Sequence, residues 1–95
     1  MKEVNINTII PLLESSDVEF AGVFGSYAKG KANQKSDIDI LVKFKQPKSL
    51  IKIIGLERKI SEILSKEIDL VTENSLSPYI RDEILNSLKV IYGRR

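Results

Sequence analysis

The stretch FGSYAKGKANQKSDIDILVKF, residues Phe24–Phe44, decides how the whole chain folds. It begins with a turn of small residues, Gly25 and Ser26, and after ten intervening residues it reaches two aspartates, Asp37 and Asp39. Side chains two apart on a strand project from the same face, about 6.5–7 Å apart. Carboxylates on an apolar strand are costly to bury without a partner, so we expect an open sheet face or a bound cation there.

The flanking sequence alternates between helical and strand periods. It predicts strands over 18–24, 37–44, 67–72 and 89–92, and helices over 5–15, from about 50, and over 77–88. Ser49 and Ser77 are the expected N-caps, and Pro11 interrupts the first helix. A further helix after Gly25 would give the order α-β-α-β-α-β-α-β. We therefore expect one α+β domain over 1–95, with a small mixed sheet, helices on one face, and the aspartate face open.

Composition limits the available chemistry. The chain has 95 residues, 42% of them hydrophobic, and no cysteine or histidine, which excludes thiolate and imidazole ligands and histidine general bases. A net charge of +2 is too small to indicate nucleic-acid binding. There is neither an apolar run long enough to span a membrane nor the apolar segment of a signal peptide. We therefore expect a cytoplasmic protein with no membrane partner.

Each half of the opening stretch has two interpretations. Gly25 allows a sharp turn whose amides, with the Ser26 hydroxyl, could hold phosphate oxygens, but such turns are more often ordinary loops. Asp37 and Asp39 could hold Mg²⁺, and two ions about 3.5–4 Å apart would clamp the oxygens of a phosphoryl transfer. Alternatively, the two aspartates mark a solvated strand face. The fixed spacing between the two halves favours a shared site.

Together the two halves match a known signature. Gly25-Ser26, ten residues, then Asp37-Ile38-Asp39 resembles the G-S-x10-D-x-D motif of the DNA polymerase beta-like nucleotidyltransferase superfamily. Nearly the whole chain is similar to minimal nucleotidyltransferases, the MNT antitoxins of HEPN/MNT toxin-antitoxin pairs. The resemblance implies a single minimal domain with the polymerase beta-like fold.

The resemblance also implies roles for individual residues. Gly25 and Ser26 would bind the nucleoside triphosphate, while Asp37 and Asp39 would hold two Mg²⁺ ions. A third carboxylate is expected on a neighbouring strand, where it would bind metal and help to remove a proton. Asp69, within EIDLVT, is the candidate, and the alternative is an exposed carboxylate at a strand start.

The resemblance assigns a nucleotide contact to Lys29 as well. Many relatives carry arginine where this chain has lysine, which supplies a point charge to phosphate without the bidentate fork of arginine. Lys31 and Lys35 share this loop, and a solvated loop is the simpler interpretation of all three lysines.

The function implied by the resemblance is Mg²⁺-dependent transfer of AMP from ATP to a tyrosine of a cognate HEPN toxin, which neutralises the toxin in a hetero-oligomer. One alternative is a non-catalytic antitoxin that covers the toxin with an apolar helix face such as Ile80, Ile84 and Leu88. Another is a nucleotidyltransferase acting on a small molecule or an RNA end. The basic residues are too dispersed to argue for RNA, so a nucleic-acid partner is not expected.

Overall fold

The computed structural model describes residues 5–25, 27–28 and 37–94. Its regular elements are α1 (Ile10–Ser15), β1 (Val18–Phe24), β2 (Ile38–Phe44), α2 (Leu50–Leu64), β3 (Ile68–Thr72), α3 (Pro78–Ser87) and β4 (Lys89–Gly93), with 3-10 turns at Ile6–Ile9 and Glu73–Ser75. All four predicted strands are confirmed to within one residue at each end. The helix predicted after Gly25 falls mainly outside the described residues. None of the helices in the described part of the chain could cross a membrane.

The first predicted helix divides into two parts. A 3-10 turn, Ile6–Ile9, begins at Asn5, whose side chain accepts a hydrogen bond from the Asn7 N–H at 3.2 Å. The α-helix then starts at Ile10, with Pro11 in its first turn. Proline is tolerated there because the first amides of a helix have no intrahelical acceptor. Pro11 therefore marks the start of α1 rather than a break inside one longer helix.

The two longer helices begin at their predicted caps. The Ser49 side chain accepts from the Lys52 N–H at 3.3 Å, and the Ser77 side chain accepts from the Tyr79 N–H at 3.3 Å. Pro78 occupies the first position of α3. Serine oxygens thus satisfy amides that would otherwise lack a partner at both N-termini.

The four strands form one mixed sheet in the order β3-β2-β1-β4. β1 is antiparallel to both β2 and β4, and β2 is parallel to β3. A parallel neighbour requires a crossover connection, and α2 supplies it between β2 and β3. The start of β2, the start of β3 and the end of β1 therefore meet at one end of the sheet.

One face of the sheet carries the main core. Its fully buried side chains include Ile38, Ile40 and Val42 of β2, which pack with Leu56, Ile60 and Leu64 of α2 and with Ile9 and Leu13. The spacing of the α2 residues gives one apolar stripe, which is why this helix covers the sheet.

The opposite face carries a second, smaller core. Phe20, Leu41 and Leu76 are buried there, and Ile84 and Leu85 of α3 pack against them. The α+β class and the mixed sheet are confirmed. The expectation that the helices share one face of the sheet holds for α1 and α2 but is wrong for α3. The apolar side chains of Phe20 and Leu41 project from the opposite face, and α3 covers them. The aspartate face is therefore open only in part.

Candidate active site

Two of the predicted carboxylates lie side by side. In the parallel pairing of β2 with β3, Asp39 is the register partner of Asp69. Neighbouring strands are about 4.8 Å apart, and paired residues project from the same face. Their strand neighbours Ile38, Ile40, Ile68 and Leu70 all point into the main core. Strand alternation thus directs Asp39 and Asp69 to the opposite face, where the sheet is less covered.

Gly25 adjoins Asp39 from the other side. Phe24 is the register partner of Asp39. Gly25 follows with φ of +73°, a backbone conformation that residues other than glycine rarely adopt. A Cβ at this position would collide with the Asp39 carboxylate oxygen Oδ2. Glycine is therefore required for two reasons, the backbone conformation and the close approach of Asp39. The turn after β1 and the carboxylate of β2 form one continuous site.

The electrostatics of Asp39 reflect this crowding. Partial burial raises the pKa of Asp39 above its ordinary value, and the carboxylates of Asp69 and Asp37 raise it further. Asp37 itself is exposed and lies immediately before β2, outside the strand. Asp69 and Asp37 thus both lie close enough to Asp39 to act on its carboxylate. A cation bound at this end of the sheet would relieve that repulsion.

The carboxylates suit magnesium in their chemistry. Mg²⁺ prefers oxygen ligands and usually takes one or two carboxylates together with substrate phosphates and water. Within the described residues, no group of three acidic side chains is arranged to hold an ion without such additional ligands. Asp39 and Asp69, as register partners, could supply two carboxylates to a site that phosphate oxygens complete.

Several predicted nucleotide contacts lie outside the described residues. These are Ser26 and Lys29, with the neighbouring lysines Lys31 and Lys35. Their roles stay predictions. Of the turn itself, the structure describes Gly25, Tyr27 and Ala28, and Ala28 is buried in the main core.

The periodicity of the sequence did not identify Glu57 as a residue of the site. Glu57 lies on α2 and contacts the backbone of β3 next to Asp69. Its carboxylate oxygen Oε2 accepts a hydrogen bond from the Leu70 N–H at 2.9 Å. Leu70 follows Asp69 on the edge strand β3, so this bond ties β3 to α2 directly beside the candidate carboxylate. The available signal was spacing, because Glu57 lies four residues after Ile53 and three before Ile60, beside the apolar stripe.

Cavities lined by described residues also occur away from this site. Two concavities of about 430 Å³ lie elsewhere, one lined by residues 42–48 with Ile53 and Thr72–Asn74, the other by residues 15–17 with parts of α2. Each contains a single acidic residue, Glu73 in the first and Asp17 in the second, and Asp17 is paired with Lys48 at 2.8 Å. Neither concavity brings two carboxylates together, as the pairing of Asp39 with Asp69 beside the Gly25 turn does.

Comparison with known families agrees with this geometry. The family model described as "Polymerase beta, Nucleotidyltransferase" matches residues 7–95. The chain belongs to this nucleotidyltransferase family. A relative from Methanocaldococcus jannaschii, named provisionally as a protein adenylyltransferase, is 45% identical over 87 residues, which cover 87% of this chain and 94% of that protein.

Solved structures resemble this nucleotidyltransferase over almost its whole length. A crystal structure of a toxin-antitoxin with AMP-PNP gives a TM-score of 0.84 at 30% identity and covers 97% of this chain and 76% of the other. A structure of a tri-AMPylated Shewanella oneidensis HEPN toxin with its MNT antitoxin gives a TM-score of 0.73 at 27% identity, covering 94% and 70%. The minimal nucleotidyltransferase fold expected from the sequence is confirmed.

Proposed function

We propose that this nucleotidyltransferase is a protein adenylyltransferase that transfers AMP from ATP to a tyrosine of a HEPN-type toxin and thereby neutralises it. The observation that carries the proposal is the pairing of Asp39 with Asp69 beside the Gly25 turn. A phosphate-binding turn next to paired carboxylates is the arrangement that nucleotidyl transfer requires, because positioning and charge stabilisation supply most of its rate enhancement.

In the proposed reaction each of these groups has its own role. The tyrosine oxygen attacks the α-phosphorus of ATP, forming a new P–O bond, while the bond from that phosphorus to the bridging oxygen breaks and pyrophosphate leaves. Asp69 accepts the proton of the hydroxyl, since it lies on the edge strand where an acceptor can approach. Gly25 and Ser26 hold the triphosphate, and Lys29 adds positive charge to it.

Asp37, Asp39 and Asp69 are the residues that would hold Mg²⁺, as one ion or two. Bound there, the metal would neutralise charge on the phosphates and lower the pKa of the attacking hydroxyl. The pairing of Asp39 with Asp69 on neighbouring strands supports this assignment.

The partner is inferred from the relatives. The Shewanella structure pairs an MNT antitoxin with an AMPylated HEPN toxin, and the AMP-PNP complex is also a toxin-antitoxin structure. We infer that this chain likewise forms a hetero-complex with a toxin that supplies the tyrosine. Such a reaction places it in the cytoplasm, where ATP and a toxin of this kind would meet.

The test is label transfer from α-labelled ATP to the product of the adjacent gene in the presence of Mg²⁺. The wild-type protein should label that partner, and Asp39→Asn should lower the rate at least about 10³-fold, or about 4 kcal/mol in the barrier. The matched control is Asp82→Asn, which removes an exposed carboxylate of α3 and should leave the rate unchanged.

Two results would contradict the proposal. One is the absence of label on any tyrosine of the partner while a nucleic acid or small molecule becomes labelled. The other is full neutralisation of the toxin by Asp39→Asn at equal expression, which would indicate a non-catalytic antitoxin that acts by binding alone.

A further inference from the structure

An aromatic contact joins two segments of the candidate active site that share no backbone pairing. The Lys66 ammonium nitrogen lies 5.7 Å from the centroid of the Tyr27 ring, within the range of a cation–π interaction. Tyr27 is the second residue after Gly25, and Lys66 belongs to the connection that leads into β3. β1 and β3 are separated by β2 in the sheet, so this contact bridges the end of β2.

The backbone at Lys66 is held in place. Ser65 ends α2 in the left-handed conformation, with φ of +54°. The Lys66 N–H donates to the Ser61 carbonyl oxygen at 3.3 Å, and the Lys66 carbonyl oxygen accepts from the Ser61 hydroxyl at 2.6 Å. The backbone carbonyl oxygen of the next residue, Glu67, accepts a hydrogen bond from the Ile38 N–H at 3.0 Å. This bond joins the connection to the start of β2. These hydrogen bonds therefore fix the backbone from which the Lys66 side chain extends.

Tyr27 is the receiving side of the contact. Its ring is half-buried and packs against the main core, and Ala28 beside it is buried. The ring therefore anchors the turn that begins at Gly25, and a cation over its face restricts how far that turn can move from β3. Asp69 is three residues after Lys66, so the contact links the turn to the segment that leads to the third carboxylate.

We propose that Lys66 is a positioning residue for nucleotide binding, acting through the Tyr27 ring to hold the turn that begins at Gly25 at its working distance from Asp39 and Asp69. The inference rests on the proposed function, since it assigns the ATP phosphates to this turn. Loss of the contact weakens the bound ATP in the ground state and the transition state alike. Affinity and KM then change, while kcat stays nearly constant.

The experiment measures Mg·ATP binding by titration calorimetry, together with KM and kcat for AMP transfer. Lys66→Met, which removes the charge but keeps the chain length, should raise Kd and KM about three- to tenfold, the range of a cation–π contact. Lys66→Arg retains a cation above the ring and should restore both constants. Lys59→Met removes an exposed lysine of the preceding helix α2 and should change neither.

A second pair of variants tests whether Lys66 acts through Tyr27. Tyr27→Phe keeps the ring and should bind ATP nearly as the wild type does, whereas Tyr27→Leu should match Lys66→Met. In the Tyr27→Leu background, Lys66→Met should have no further effect. Thermal unfolding of each variant identifies any general loss of the fold, which Lys66→Arg and Tyr27→Phe should not show.

Three outcomes would overturn the inference without touching the proposed function. Equal Kd values for the wild type and Lys66→Met would remove any role in binding. An undiminished effect of Lys66→Met in the Tyr27→Leu background would make Lys66 a direct phosphate contact instead. A fall in kcat at constant Kd would contradict positioning of the ground state. A wild-type protein that binds no Mg·ATP would overturn the proposed function as well, which separates the two failures.

Discussion

The two faces of the sheet differ although the same strands form them. On one face of β2, Ile38, Ile40 and Val42 are completely buried under α1 and α2. On the other face, Leu41 is covered by α3, while Asp39 lies beyond the covered area and keeps contact with water. The comparison shows that one face of the sheet carries the main core, while the end of the other is left incompletely packed around the candidate carboxylates.

The largest expected effect distinguishes substitutions at two adjacent residues of β2, Ile40 and Asp39. Ile40→Ala removes a fully buried side chain from the main core and should lower the free energy of unfolding by about 2–5 kcal/mol. Asp39→Asn, one residue away, should cause no loss of stability. Urea unfolding of both variants measures the difference, with Val90→Ala, an exposed residue, as the control. Equal losses for Ile40→Ala and Asp39→Asn would mean that the two faces do not divide their tasks in this way.

A smaller effect tests how closely α3 and Leu88, the residue that follows it, pack against the face of the sheet that carries Asp39. A Cβ on Gly22 would lie 2.7 Å from the Leu88 Cγ, so Gly22→Ala should destabilise the fold by about 1–3 kcal/mol. Gly55 in α2 has open space around the corresponding position, and Gly55→Ala should stabilise by about 0.5–1 kcal/mol. Thermal or urea unfolding should therefore give opposite signs. Adding Leu88→Ala to Gly22→Ala should recover part of the loss, and no recovery would place the clash elsewhere.

The smallest effect is electrostatic. Burial and neighbouring carboxylates raise the pKa of Asp39 on folding, so the folded state favours its protonated form. The resulting stabilisation is complete below the ordinary pKa of 3.8 and is lost as the pH rises through the folded pKa. At pH 7, Asp39→Asn should be more stable than the wild type by less than about 1 kcal/mol, because Asp39 remains partly solvated.

Measuring both proteins from pH 7 downwards sharpens this prediction. The advantage of Asp39→Asn should shrink as the pH falls through the folded pKa of Asp39. A difference that is constant with pH would show that packing, rather than charge, distinguishes the two proteins.

Local patterns made most of the fold predictable. The alternation in β2 separated Ile38 and Ile40 from Asp39, and serine caps fixed the starts of α2 and α3. The candidate site was equally local in its main parts, since Gly25 and the aspartates lie at strand ends. Asp69 could be proposed because it lies within a strand pattern.

The missed features depend on contacts between distant segments. The side of the sheet that α3 covers follows from how Ile84 and Leu85 meet Phe20 and Leu41, which no local period encodes. The bond from the Leu70 N–H to Glu57 and the contact of Lys66 with Tyr27 join residues whose neighbours in space are unknown from sequence. Only the folded chain brings such groups together.

The parallel register of β2 with β3 has a consequence for how the sequence can vary. Asp69 lies thirty positions after Asp39, and the intervening residues that form the surface connections around α2 could change in number without moving either carboxylate. A single residue inserted or deleted within β3 ahead of Asp69 would instead turn its side chain into the apolar core. Relatives that retain activity should therefore differ freely in the lengths of these connections, yet preserve the phase of the strand to the residue.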